Sequence, residues 1–261
     1  MALPAPNVVV MPLARHPGPA ARLRAVDRGG AACGSCGSLA FCVPSGAPPD
    51  AGWQLEELVS HRVRLRKGEV LVHSGDAFTG LFAVRTGSCK SVVTTMGGQQ
   101  QIAGYHISGD IVGAEGIHAG TYDGTVTALE DSEFCALPLE RMETLAQRNA
   151  DFLHRLSALL SREIVRERRV MLLLGTMRAE QRLAWFLLDL ADRYHARGYS
   201  SREFVLRMTR EEIGCHLGLK LETVSRLFSR FHQEGLVRVQ GREVQLLDRE
   251  GLRHLVEVTV Q

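Results

Sequence analysis

From Leu65 to about Leu139 apolar and polar positions alternate in short runs broken by glycine: "EVLVHSG", "GLFAVRTG", "CKSVVTTMGG", "QQIAGYHISG" and "TVTALEDSEFCALP". Runs of that length, separated by Ser-Gly, Thr-Gly and Gly-Gly turn signals, predict an antiparallel barrel or sandwich. After Pro138 the period lengthens, and no glycine interrupts Leu139 to Gly175, so a helical span of about 35 residues is expected. Within it Leu153, Leu160, Ile164, Met171 and Leu174 fall at the three- and four-residue steps of a coiled-coil seam. A second copy of the helix is the natural partner, and packing on the chain's own β domain is the alternative. Glu167 stands where the seam asks for an apolar side chain, beside Arg166, Arg168 and Arg169. In a parallel pair two such carboxylates approach each other and oppose association, unless each turns outward to an arginine.

The segment Thr209 to Leu247, "TREEIGCHLGLKLETVSRLFSRFHQEGLVRVQGREVQLL", carries dense local signals. Thr209 and Glu212 form a capping box, which starts a helix at Arg210, and Gly218 ends it. A second helix runs from about Leu221 to Glu234. Its apolar face is Val224, Leu227, Phe228 and Phe231; Glu222, Ser225, Arg226 and Ser229 share the other face. Two short helices joined at a glycine form a helix-turn-helix whose polar face can read base edges. Arg donates bidentately to guanine, Glu accepts from cytosine, and Ser approaches thymine or phosphate. The alternating runs around Gln240-Gly241 predict a hairpin wing that offers Arg238 and Arg242 to phosphates.

Composition adds boundaries. The chain has 261 residues, 45% hydrophobic and 23% charged, a soluble balance with room for two domains and a tail. No run of about 18 apolar residues is present, so no membrane span is expected. The apolar patch Val8 to Leu13 has no basic segment ahead of it, which argues for a cytoplasmic protein. Residues 1–30, rich in Ala, Pro and Arg without periodicity, are expected to be disordered. Net charge is +2 but uneven: residues 1–140 hold 10 Lys+Arg against 13 Asp+Glu, residues 141–261 hold 21 against 16. An acidic front and a basic back suggest a sensing portion joined to one that meets polyanions.

Six cysteines in a reducing compartment are poorly explained by disulfides. Cys33, Cys36 and Cys42 form C-x2-C-x5-C, in a loop where Gly34, Ser35, Gly37 and Ser38 permit tight folding. Soft thiolates suit an iron-sulfur cluster or zinc, and spacing alone does not choose between them. Cys89 and Cys215 are expected to be small core hydrophobes. No His/Asp arrangement beside a cysteine suggests a nucleophile-base pair, so an enzyme is not expected.

A β domain, a long helix and a winged helix-turn-helix, in that order, resemble the Crp/Fnr family of bacterial transcription regulators over residues 31–250. The likeness is greatest to its FNR branch, the anaerobic regulators of fumarate and nitrate respiration. It rests on "MTREEIGCHLGLKLETVSRLFSRF", "YHISGDIVGAEGI" and the cysteine block ending Cys42-Val43-Pro44. The resemblance implies an α+β chain. Residues 1–30 are a tail, 31–50 a cluster-binding loop, and 51–140 a cyclic-nucleotide-binding-like β-roll. Residues 141–175 are a dimerisation helix carrying Leu160, Ile164, Glu167, Met171 and Leu174, and residues 176–261 a winged helix-turn-helix.

The resemblance also implies an oxygen-labile 4Fe-4S cluster on Cys33, Cys36, Cys42 and Cys135. On its loss to oxygen the homodimer would part, with Glu167 keeping the helices separate. Glu222, Ser225 and Arg226 would read a TTGAT-N4-ATCAA inverted repeat, and Ser229 shares their face; Lys220-Leu221 departs from the family's commoner Thr-Val, and Lys220 is expected to add a phosphate contact without changing the bases read. Loops near Glu115 would meet RNA polymerase. Structural zinc, or nitric oxide as the signal, are the alternatives at the same cysteines. Cyclic-nucleotide sensors of the family carry an Arg-Ser pair in the β domain; here Asp123 of "TYDGTVTAL" stands about where the arginine would, so no cyclic nucleotide is expected.

Overall fold

The computed structural model describes residues 25–26, 33, 36, 42 and 58–257. Most of the tail expected over residues 1–30, and most of the cysteine loop, lie outside the described residues. The first nine strands are β1 (Ala25–Val26), β2 (His61–Leu65), β3 (Val70–Val72), β4 (Gly80–Thr86), β5 (Ser88–Thr94), β6 (Gln100–Ile107), β7 (Ile111–Val112), β8 (Thr125–Ala128) and β9 (Ser132–Pro138). They form two antiparallel sheets, ordered β1-β2-β9-β4-β7 and β3-β8-β5-β6. The glycine-punctuated runs therefore became strands, and the last of them divides into β8 and β9. Gly87, between β4 and β5, has φ +84°, and a Cβ there would stand 2.2 Å from Ser132 Oγ. Only glycine fits that turn.

Strand alternation sorts the core. Val63, Phe82, Val84, Val126, Phe134 and Ala136 point between the sheets with the fully buried Cys89, as expected of that cysteine. Leu81, Ala83, Leu137 and Cys135 point to the opposite, outer face of the first sheet, where Met142, Phe152 and Leu159 cover them. Those three belong to helices that follow a four-residue helix α1 (Gly116–Ala119): α2 (Leu139–Arg148) and α3 (Ala150–Thr176).

The single span of about 35 residues is thus corrected to two helices. Asn149 is extended (φ -139°, ψ 100°), and its side chain accepts a hydrogen bond from Phe152 N at 2.9 Å. An asparagine that can satisfy an orphan amide favours a cap over a helix interior. The dimerisation segment assigned to 141–175 accordingly contains most of α2, the break and all but the last residue of α3.

α3 serves two faces. Phe152, Leu159 and Leu173 are buried against the chain's own domains, with Leu160 and Leu174 half-buried beside them. Leu153, Ile164, Val165, Met171 and Leu172 are exposed, Met171 by 69%. The predicted seam is therefore narrower at Leu160 and Leu174, and broader through Val165 and Leu172. Glu167 is exposed on the same helix.

The C-terminal unit comprises α4 (Ala179–Ala196), β10 (Glu203–Val205), α5 (Arg210–Leu217), α6 (Leu221–Gln233), β11 (Val237–Gln240), β12 (Glu243–Leu246) and α7 (Arg249–Glu257). Its core includes Leu183, Leu187, Ile213, Val224, Phe228, Phe231, Val237 and Leu246. Burying each such side chain is worth about 1.5–3 kcal/mol relative to exposure. Ile102, Tyr105 and Ile107 of β6, with Leu129, join the same cluster. The two folded units are fused through one continuous apolar core. No helix among the described residues is long and apolar enough to cross a membrane.

Candidate functional site

The helix-turn-helix follows its local chemistry closely. Thr209 Oγ1 accepts from Glu212 N at 3.1 Å, and Glu212 Oε2 accepts from Thr209 N at 2.7 Å, closing both halves of the capping box. Gly218 ends α5 in the left-handed conformation, φ 63°. Gly214 lets the turn pass close by, since a Cβ there would meet Leu219 O at 2.6 Å. Burial of Val224, Leu227, Phe228 and Phe231 turns Lys220, Glu222, Ser225, Arg226 and Ser229 to solvent. Five polar or basic side chains thus share the free surface of α6. Arg210 stacks over the Phe228 ring at 3.3 Å, and burial pushes its pKa down to about 10.

The wing is present with two changes. Gln240 pairs with Glu243, so the turn residues are Gly241 and Arg242 rather than Gln240 and Gly241. β10 adds an unforeseen third strand beside β12. Arg238 donates to Gln245 Oε1 at 3.1 Å and Arg242 to the Arg207 carbonyl at 3.3 Å, both from exposed positions.

The thiols gather on the outer face of the first sheet. Cys135 lies on β9, paired across the strands with Arg62 of β2 and Ala83 of β4. Cys33 and Cys36 are near enough to act on it electrostatically, and Cys36 N bonds back to the Cys33 carbonyl at 3.0 Å in a tight turn. Cys42 packs on the same apolar cluster as Cys135. None of the four is in a disulfide, and all are half-buried. Burial raises the Cys135 thiol to about 11, with Arg62 opposing that rise. Arg85 is near enough to Cys36 and Cys135 to act on both electrostatically. Among the described residues no group of three or more His, Cys, Asp or Glu side chains is closed around one point as a metal set. As a donor set the four fit a thiolate-held group: soft ligands, no competing disulfide, and guanidinium groups alongside.

A junction that sequence reasoning missed joins the β domain to α3 and α4. Asp110, between β6 and β7, accepts from Arg193 at 2.5 Å and Arg197 at 2.6 Å, with Arg166 of α3 at 3.7 Å. The guanidinium of Arg166 also donates to Tyr105 O at 2.5 Å, and that of Arg197 to Ser108 O. Despite burial, the three arginines hold the Asp110 carboxyl well below the usual carboxylate range. Nearby, Lys90 pairs with Glu212 at 2.6 Å and Gln101 donates to the Cys215 carbonyl at 2.5 Å. Cys215 packs against the C-terminal core as a small hydrophobe, but at its margin. It is half-buried, and its sulfur accepts from Ile102 N at 3.3 Å. At the hinge Arg182 donates to the carbonyls of Leu174, Met177 and Leu217, tying the end of α3 to the end of α5.

The junction also makes stability depend on pH. Burial, aided by Arg166, pushes buried His106 down to about 3, and burial lowers His216 as well. Each is held neutral in the fold and regains an ordinary value near 6.5 on unfolding. For both groups the contribution is complete above about pH 6.5 and diminishes in acid; that of His106 is lost as pH falls toward 3, at about 1.4 kcal/mol per pH unit. Urea denaturation at pH 7.5 and 5.5 should show lower stability at 5.5, and His106→Gln should shrink that difference. An unchanged difference in the variant would contradict this account of His106.

A cavity of about 140 Å³ lies between the β domain, α3 and α4. Glu115, Asp123, Glu163, Glu167 and Asp189 line it against Arg166 and Arg193.

Comparison with known proteins places these parts. The model of the Crp-like helix-turn-helix domain matches residues 181–255, and that of the cyclic nucleotide-binding domain matches residues 62–149. The chain is 46% identical over 224 residues to the transcriptional regulatory protein btr of Bordetella pertussis, covering 86% of this chain and 93% of that one. It is 35% identical over 235 residues to the fumarate and nitrate reduction regulatory protein of Escherichia coli, covering 89% and 94%. The solved structure of FixK2 from Bradyrhizobium japonicum superimposes with a TM-score of 0.69 at 28% identity, covering 76% of this chain and 98% of that one.

Proposed function

Because the chain belongs to the Crp/Fnr family of transcription regulators, we propose that it is an oxygen-responsive member whose DNA binding depends on a 4Fe-4S cluster held by Cys33, Cys36, Cys42 and Cys135. The observation that carries this is the approach of Cys33 and Cys36 to Cys135, about a hundred residues away, on one face of the β domain. The name of the fumarate and nitrate reduction relative supports anaerobic control. A bound cluster supplies an oxygen-labile crosslink between the loop and β9.

The chain's own residues do the rest. Cys135 lies on the sheet face that α2 and the first half of α3 cover, and Cys42 and the long helix share one apolar cluster with it. Ile164, Val165, Met171 and Leu172 offer an exposed apolar stripe to a second copy, while Glu167 opposes pairing. Such a balance leaves the dimer marginal, and ordering the loop beside α3 tips it. Pairing sets two α6 helices one turn of DNA, about 34 Å, apart in successive major grooves. Glu222, Ser225 and Arg226 then read TTGAT-N4-ATCAA half-sites, with Lys220, Arg238 and Arg242 on phosphates. The exposed loop around Glu115 is the surface offered to RNA polymerase. Five carboxylates against two arginines around the cavity speak against a cyclic nucleotide there.

Titration of a TTGAT-N4-ATCAA duplex with anaerobically purified protein, repeated after exposure to air, tests this reading. Tight binding should be lost in air; equal binding in both would reject oxygen control. In the same assay Arg226→Ala should weaken specific binding by about 1–3 kcal/mol and relax preference at one guanine. Weakening that is uniform across sequences would instead assign Arg226 to phosphate.

A further inference from the structure

The outer face of the first sheet carries more than the cysteine. In one cross-strand row Arg62 of β2 faces Cys135 of β9, which faces Ala83 of β4. Two residues further along β4 the register shifts between Val84 and Thr86, and Arg85 stands at that irregularity. Its side chain is 19% exposed and its Nη1 donates to Glu133 Oε2 at 2.7 Å. The same guanidinium is near enough to Cys36 and Cys135 to act on both electrostatically.

Fixed positive charge therefore flanks the strand cysteine on one side and the loop cysteine on the other. Four thiolates around a divalent centre retain net negative charge, and burying it without countercharge is costly. A guanidinium suits this position because it is always charged, weakly hydrated, and has donors enough for a carboxylate and a sulfur together. Glu133 takes up part of that charge, and the remainder faces the thiols.

We propose that Arg85 is a positioning residue of the thiol site which, with Arg62, supplies the countercharge against which the thiolates are held. This rests on the ligand set proposed above. It does not depend on whether that set holds iron and sulfide or another thiophilic metal.

The test uses the full chain, freed of any bound metal and fully reduced under anaerobic conditions, with Co²⁺ as the probe and its thiolate absorption as the readout. Arg85→Gln should weaken Co²⁺ binding about tenfold, the scale seen when a partner behind a ligand is lost. Arg85→Lys, which keeps the charge, should recover most of that loss. Glu133→Gln, which releases the guanidinium, should bind as tightly as wild type or more so. Wild-type affinity in Arg85→Gln, equal weakness in Arg85→Lys, or a matching loss in Glu133→Gln would overturn the proposal. The last result would mean that the pair merely holds the sheet. Should Arg85→Gln fail to fold, Arg62→Gln takes its place, with weaker binding expected and unchanged binding counting against the countercharge. Wild-type protein that shows no thiolate absorption with Co²⁺ would overturn the ligand set itself, a result distinct from any difference among variants.

Discussion

Asp110→Ala is expected to cost about 3–5 kcal/mol of stability, the range for removing one partner from a buried ion cluster. Asp110 is 4% exposed, and the side chains of Arg166, Arg193 and Arg197 are no more than 20% exposed. Deleting the carboxylate leaves like charges close together with little water to screen them. Glu163 at 3.2 Å from Arg166 and Asp189 at 3.7 Å from Arg193 offset part of this, which keeps the effect below total unfolding. Asp110 Oδ2 also accepts Ile107 N at 2.8 Å, so the β6–β7 turn loosens too. Asp110→Asn retains hydrogen bonds without the charge and should fall between wild type and alanine. The carboxyl is held low in the fold, so its contribution is present above the ordinary carboxylate value near 3.9 and is lost only in stronger acid. Urea denaturation at pH 7 measures the difference; a cost under about 1 kcal/mol would mean that the arginines find water or other acceptors.

Cys135→Ala should reduce anaerobic operator binding to the non-specific level, a loss of about a thousandfold or more. Cys135 alone of the four proposed ligands sits on a strand, between Arg62 and Ala83 in register. Alanine removes one sulfur from a half-buried position and keeps the β geometry, so the fold should persist while the loop loses its attachment to the sheet. The remaining thiols cannot replace it, because Cys89 is fully buried between the sheets and Cys215 lies at the junction with β6. Titration of the operator duplex under strict anaerobiosis reads the effect. Binding as tight as wild type, still lost in air, would remove Cys135 from the ligand set.

How much was legible follows the range of each interaction. The helix-turn-helix could be read to within a residue because capping box, left-handed glycine and apolar face all act within a few positions of one another. The sheets could be read because alternation is local, and β10 could not, since three residues show no alternation of their own. Asn149 was readable in principle as a cap, but the absence of glycine around it suggested continuity. The Asp110 cluster was not readable: its arginines lie 56, 83 and 87 residues away in sequence and share no motif. The same holds for Cys215, whose contacts come from β6. For the thiols, spacing singled out Cys33, Cys36 and Cys42, whereas Cys135 entered only by resemblance, and its neighbours Arg62 and Arg85 are evident only once the strands are in register.

The central claim is that sulfur-held iron decides whether two copies of this chain stay together. Anaerobically purified protein should be analysed for iron and acid-labile sulfide, and its mass followed by sedimentation before and after air is admitted. The account predicts both elements present with a dimer at first, then loss of sulfide and a shift to monomer. Protein that lacks iron and sulfide when purified without oxygen, yet sediments as a dimer before and after exposure, would contradict it.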